Sequence, residues 1–394
     1  MKLFVGIDVS SKDLVTSIIS EEKHEVVFRG NFVNDLKGAT ELKKQIINTA
    51  NSNQIDQVII GMEATSIYSF HPAMFFQEDI DLKAFNTQSV VVDPKKTKRF
   101  HDVFAEDKND QIDAYYIADY LRVGHYSIGI VRQENYIALQ RLTRSRYEIV
   151  QSLVRVKQHF IENLYYKLNK LVISDELNTS IFGSTMMQLL TEDLTTDDLL
   201  NISINDLTDY LAEYGRGRFA DPEALAKTIQ KAVRSSYRLD KVVANSVDAV
   251  LSVYAAEIKT FQKMIKDLDK SIEKVVKVTD DEQILRSIPG IGPVYAAGIL
   301  AEYAGLSWRE KQSGSYTSDN TPLKRTGNTY LRYYLVEAAN LVRTHDPVFG
   351  EYYQRKYKEV KHTPSKRALV LTARKLIRVI YFLLKNHQIY QEKR

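Results

Sequence analysis

Cysteine is missing from all 394 residues of this chain. Its absence excludes disulfides, thiolate zinc sites and a cysteine nucleophile. Long apolar runs are missing too, since no window approaches the ~18 uninterrupted apolar residues of a membrane-spanning helix. The opening MKLFVGIDVSSKD reaches an acid too early for a secretory leader, so a cytoplasmic protein is expected. No internal repeat or low-complexity tract is visible. What remains is an ordinary globular composition, 44% hydrophobic and 26% charged, on a length that suits two or three domains.

Acidic residues are scarce at one end. Residues 301–394 hold 18 Lys and Arg against 8 Asp and Glu, whereas residues 1–300 hold 36 against 42. A basic C-terminal quarter on a near-neutral body points to a polyanionic partner for that end.

The first 90 residues read β-β-β-α-β-α-β. Strands are expected at 2–8, 13–20, 24–30, 56–61 and 81–86, with helices at about 36–50 and 66–78. Asp93-Pro94 marks a break, and a closing helix runs from about Lys108 to Arg122. Strands alternating with helices imply a mixed, helix-covered sheet. Beyond it, Leu139, Leu142, Arg146, Ile149, Leu153, Val156, Phe160 and Asn163 follow heptad spacing. So do Val247, Leu251, Tyr254, Ile258, Phe261, Ile265, Leu268 and Ile272. Sustained heptads predict a coiled coil, the two helices pairing with each other, antiparallel, or with copies in another subunit. Between them lies a small helical insertion, in which Asp221-Pro222-Glu223 is a good helix start.

The expected fold class is therefore α/β plus α. A ribonuclease H-like mixed sheet comes first (1–125), then a long coiled-coil helical middle with its insertion (126–280). A C-terminal helical domain with a helix-hairpin-helix follows (281–394).

Four carboxylates are the candidate chemistry. Asp8 closes the apolar run LFVGI, and Glu63 sits just past VIIGM. Asp110 and Asp113 stand three apart in KNDQIDAYYIADYL, on one face of a helix. A ribonuclease H-like sheet places its acids at these positions: the central first strand, the end of the fourth, and a closing helix. Clustered like charges raise their own pKa values unless a cation joins them. Hard oxygen ligands suit Mg²⁺ or Mn²⁺, the usual equipment for phosphodiester chemistry.

Further along, Gly290 and Gly292 in ILRSIPGIGPVYAAGIL would let backbone N–H groups approach a phosphate in a helix-hairpin-helix. The same signature fits a tight turn between two helices with no ligand. Ser313, in Gln312-Ser313-Gly314-Ser315, is either a turn residue or a nucleophile, and no histidine lies near it in sequence to activate it. Lys324, Arg325 and Arg332 either hold phosphate oxygens or form a solvated helix start.

These segments resemble a known family. FVGIDVSSKD, GMEAT and KNDQIDAYYIADYL look like the DEDD signature of the IS110/IS1111 transposases, a resemblance that implies a RuvC-like fold for the first domain. IPGIGPVYAAGIL, the QSG loop, LKRTGNTYLRYYLVEAAN and ARKLIRVIYFLLKN resemble that family's C-terminal domain. Ala301 to Trp308 is shorter than the family's usual stretch at that place. The resemblance implies a bacterial, nucleoid-associated DNA recombinase that moves insertion sequences. By motif position the divalent metal would fall to Asp8, Glu63, Asp110 and Asp113. Ser313, or Ser315 two residues away, would become covalently linked to DNA. Donor and target DNA, a structured guide RNA and a homo-oligomer, dimer to tetramer, are the implied partners; the acids and the serine would come from different subunits. Two other readings remain: a junction-resolving nuclease that hydrolyses DNA with water, and a non-catalytic RNA- or DNA-binding scaffold.

Overall fold

The computed structural model describes all residues except 22–24, 64–66, 93, 105–108, 125–133, 278–279, 303–311, 314–315, 318–327, 361 and 392–394. The chain divides into two units, Met1–Gln133 and Glu134–Arg394.

In the first unit, β1 (Lys2–Val9), β2 (Asp13–Ser20), β3 (Val26–Val33), β4 (Gln57–Glu63) and β5 (Gln88–Val92) form one mixed sheet, ordered β3-β2-β1-β4-β5. β1 runs antiparallel to β2 and parallel to β4, which in turn is parallel to β5. The helices of this unit are α1 (Leu36–Ser52), α2 (Phe70–Glu78), α3 (Ile80–Lys83), α4 (Pro94–Phe104) and α5 (Asp110–Val123).

Helices cover both faces of the sheet, which is why β1 and β4 are nearly continuous apolar runs. Leu3, Val5, Ile7, Val58, Ile60 and Met62 pack with Leu42 and Ile46 of α1 and Phe76 of α2. Phe4 and Ile59 pack on the opposite face with Ile117, Ala118 and Leu121 of α5. The edge strand β3 alternates half-buried and exposed residues instead.

One expected strand is overturned. Residues 81–83 of the run at 81–86 belong to α3, because the Asp79 side chain accepts hydrogen bonds from the backbone N–H groups of Asp81 and Leu82. The fifth strand comes later, at Gln88–Val92.

Among its described residues, the second unit's regular structure is helical but for one short ribbon. It opens with α6 (Glu134–Val172), followed by α7 (Ser184–Gln188), α8 (Thr196–Asn201), α9 (Ile204–Gly215), α10 (Pro222–Ser235) and α11 (Lys241–Val276). α6 and α11 lie antiparallel, since Arg146 pairs with Asp269 near one end and Lys167 with Asp248 near the other. The Arg146–Asp269 pair explains the one charged residue in the apolar seam of α6. The insertion starts as its sequence predicts at α10, where Asp221 caps Ala224 N–H at 2.9 Å ahead of Pro222. Its leucines share a core with Leu153, Phe160, Leu251 and Ile258 of the helical pair.

α12 (Asp280–Arg286), α13 (Pro293–Glu302), the two-stranded ribbon β6 (Gln312–Ser313) and β7 (Tyr316–Thr317), α14 (Thr329–His345), α15 (Pro347–Glu359) and α16 (Pro364–Asn386) complete the chain. A separate core gathers α12, α13, α14 and α16 around Leu285, Ile299, Tyr334 and Leu376, together with Leu139 and Ile272 from the long helices. Among the described residues, no helix is long and apolar enough to cross a membrane.

Candidate active site

The parallel register of β1 and β4 pairs Gly6 with Gly61 and Ile7 with Met62. One residue further along the two strands stand Asp8 and Glu63. Side chains alternate between faces along a strand, so these two carboxylates leave the sheet on the side opposite Ile7 and Met62, the side that α5 covers. Gly6 permits the cover to lie close. A Cβ there would stand 2.1 Å from the carbonyl oxygen of Ala114 and 2.4 Å from the amide nitrogen of Ala118. Seating Ala114 on Gly6 brings the preceding turn of α5, with Asp110 and Asp113, toward the end of β1. Gly6→Ala should consequently cost about 1–3 kcal/mol or more, because backbone atoms cannot swing aside. Calorimetry would read this as a lowered Tm, and an unchanged Tm would contradict the seating of α5.

Electrostatics ties the four acids together. Asp8 is pushed up to about 6, first by burial and then by the charges of Asp110, Asp113 and Glu63; a hydrogen bond from the Val9 N–H partly opposes this. Asp110 and Asp113 also suit the first turn of a helix, where Asn109 supplies the cap and the helix dipole favours negative charge. Among the described residues, no three His, Asp or Glu side chains are gathered closely enough to enclose a metal ion. The carboxylates face one region without yet converging, as four mutually repelling charges would. Their donor set, all hard oxygen, nevertheless fits a divalent cation.

Two neighbours escaped the sequence reading. Thr97 of α4 donates its hydroxyl to Glu63 Oε1. His101, one turn later on the same helix, holds Nε2 3.6 Å from Asp113 Oδ1 and meets the Tyr116 ring edge-on. That buried Nε2 has no hydrogen-bond partner among the described residues. The i, i+4 spacing of Thr97 and His101 was the available signal, but nothing in the sequence aimed that face of α4 at the acids.

The C-terminal candidates are distributed differently. Gly290 has φ +92°, and a Cβ on it would stand 2.8 Å from the Leu341 carbonyl carbon. Its lack of a side chain is therefore required by the packing of the α12–α13 turn on α14. Gly292 opens to free space. Ser313 lies in β6, its backbone paired with Tyr316 of β7. Ser315, Lys324 and Arg325 lie outside the described residues, while Arg332 is half-buried on α14.

Glu302 and Asn328 bracket the segment that carries Ser313. The Glu302 side chain is fully buried. It receives Arg144 of α6 through Nε and through Nη2 at 2.9 Å, and the Asn328 side chain through Nδ2. Asn328 in turn caps α14, accepting from Tyr330 and Leu331 N–H. One buried carboxylate thus joins the end of α13, the start of α14 and the flank of α6.

Comparison with known proteins follows the same two regions. A family model described as a DEDD transposase of IS110 matches residues 5–166, and a second, for transposases of the IS116/IS110/IS902 family, matches residues 299–354. The chain is 26% identical to the 44.8 kDa protein of insertion element IS116 from Streptomyces clavuligerus over 322 residues, 77% of this chain and 78% of that one. It is 27% identical to the 42 kDa protein of IS900 from Mycobacterium paratuberculosis over 305 residues, 72% and 73% of the two chains. Among solved structures, T. thermophilus RuvC in complex with Holliday junction substrate aligns with 32% of this chain and 99% of that one, at 10% identity and TM-score 0.24.

Proposed function

This chain belongs to the IS110 family of transposases, and from that premise we propose that it is the DNA recombinase of an insertion sequence. It would cut and rejoin donor and target DNA through a serine that becomes covalently joined to the strand. The observation that carries the reading is the parallel register of β1 and β4, which ends one residue short of Asp8 and Glu63, together with the seating of α5 on Gly6 and the charges of Glu63, Asp110 and Asp113 felt at Asp8.

Asp8, Glu63, Asp110 and Asp113 would hold Mg²⁺ or Mn²⁺. Once bound, the cation supplies Lewis-acid polarisation of the scissile phosphate. The chain's own residues supply the rest. Thr97 orients Glu63 through its hydroxyl. Ser313 Oγ bonds to phosphorus while the departing deoxyribose oxygen takes up a proton, so the phosphoester survives on the protein for rejoining. Lys324, Arg325 and Arg332 hold phosphate oxygens, with the open backbone at Gly292 beside them in the same role and Gly290 shaping its turn. The second unit would act as two parts, a coiled-coil arm with its insertion and a serine-bearing domain with a helix-hairpin-helix. The presence of two separate cores supports that division. Self-association to a dimer or tetramer would bring the serine of one subunit to the acids of another, and a structured guide RNA would select the sites.

Trapping tests the reading. Wild-type protein given Mg²⁺ and element-end DNA should yield a detergent-resistant protein–DNA adduct. Ser313→Ala should abolish it while leaving DNA affinity within about twofold, as expected for a group that acts only in the chemical step. An adduct that survives Ser313→Ala but not Ser315→Ala would move the nucleophile to Ser315. Cleavage by the wild type without any adduct would replace this reading with a water-using nuclease.

A further inference from the structure

α16 carries six cations, Lys366, Arg367, Arg374, Lys375, Arg378 and Lys385, and no carboxylate. Its buried stripe, Ala368, Thr372, Leu376, Ile380 and Leu383, packs against α12, α14 and α15. Lys375 turns toward α15, over the rings of Phe349 and Tyr352. Opposite the buried stripe, helical spacing aligns Arg367, Arg374, Arg378, Tyr381, Phe382 and Lys385 on a single face. Tyr381 is 54% exposed and Phe382 56%.

Elsewhere in this unit several basic side chains find carboxylates: Arg286 with Glu282, Arg355 and Lys356 with Glu359, Arg144 with Glu302. Among the described residues, none pairs with Arg367, Arg378 or Lys385. This face thus sets Arg367, Arg378 and Lys385, without a carboxylate partner among the described residues, beside two neighbouring exposed aromatic rings, and Lys385 Nζ stands 5.9 Å from the Tyr381 ring centroid.

We propose that this outer face of α16 binds single-stranded nucleic acid. Cations one turn before and after the rings would take successive phosphates, and Tyr381 and Phe382 would stack on unpaired bases. Duplex DNA, its bases already stacked, would use the cations and leave the rings exposed. A second copy of the chain fits less well, because isologous pairing would set Arg378 and Lys385 against their own like charges. The inference rests on the reading that the protein handles nucleic acid, and is independent of Ser313 and of the four acids.

Fluorescence anisotropy across a salt series tests it, using an unstructured DNA strand, the same strand as RNA, and its DNA duplex. Replacing both rings (Tyr381→Ala with Phe382→Ala) should weaken single-strand binding about tenfold or more. It should leave the salt slope and duplex affinity unchanged. The pair Arg378→Ala with Lys385→Ala should weaken all probes and flatten the single-strand salt slope by roughly 0.7 for each phosphate released. All four side chains are exposed, and circular dichroism would confirm that the variants fold. Wild-type affinity in both double variants would overturn this inference alone. A wild type that binds no nucleic acid would overturn the functional reading with it. If the ring variant instead lowers the molecular mass by light scattering with binding intact, the face is a subunit interface and the proposal is wrong.

Discussion

In the presence of EDTA, the protein should lose thermal stability as pH rises from about 4 to above 6, and Mg²⁺ should restore most of that loss. The cause is Asp8, pushed up from an ordinary carboxylate value of 3.8 to about 6 by burial and by Asp110, Asp113 and Glu63. The folded state therefore binds the Asp8 proton more tightly than the unfolded chain does. The resulting stabilisation is complete below the unfolded value and is lost as pH climbs through about 6. Above that point an ionised Asp8 stands against three like charges. A divalent ion is drawn to the same ionised cluster, and at 100-fold over its Kd it would add about 2.7 kcal/mol. Asp8→Asn keeps the shape and removes the charge. That variant should lose the pH step, melt higher than wild type in EDTA at pH 7.5, and gain little from Mg²⁺. Its DNA cleavage should fall at least about 100-fold, the upper cost of losing a mere outer-shell partner at a metal site. A Tm that ignores pH in EDTA, or wild-type cleavage by Asp8→Asn, would remove Asp8 from the site.

The placement of Asp8 and Glu63 was legible in the sequence because each ends a run whose burial on both faces leaves it almost wholly apolar, and that of Asp110 and Asp113 because they stand three apart at a helix start. β1, β2 and β4 begin and end within about two residues of where those runs do. The expected strand at 81–86 failed because an apolar run of that length has no period of its own. There the Asp79 cap decided for helix, and the valines of β5 took the sheet edge position. Heptads identified the faces of α6 and α11 but not their partner, since a seam of this kind reads the same within one chain or between two. The Arg146–Asp269 pair inside that seam joins residues more than a hundred positions apart. Gly290 shows the opposite limit. A glycine needed for close packing on α14 and a glycine needed for phosphate approach look identical in sequence. Thr97 and His101 were illegible for a related reason. Their contacts depend on how α4 sits against α5, which no local pattern records.

Glu302→Ala should destabilise the second unit by about 1–3 kcal/mol, the cost of leaving buried hydrogen-bonding groups unsatisfied, because the Arg144 side chain is 41% exposed and water screens the charge left behind. What the truncation leaves behind decides the cost. Glu302 is fully buried, and Arg144 and Asn328 both donate to it. Truncating the carboxylate takes from the Asn328 amide and the Arg144 guanidinium the acceptor they share at the end of α13. Glu302→Gln separates charge from geometry. Its amide oxygen still accepts from one partner, while its NH₂ group opposes the other donor, so a smaller loss is expected. Arg144→Met paired with Glu302→Leu removes both charges together. Because a buried ion pair must offset the desolvation of both ions, that double variant should recover much of the stability lost by Glu302→Ala. Chemical denaturation of the three variants would order them as Glu302→Ala, Glu302→Gln, then the apolar pair nearest wild type. Recovery of stability in the apolar pair should not bring recovery of the DNA adduct. The carboxylate also ties residues 302 and 328, the two ends of the segment carrying Ser313, to one point on α6, and an apolar contact has no hydrogen bond with which to hold Asn328 there. Full adduct formation by the apolar pair would show that Glu302 serves stability alone.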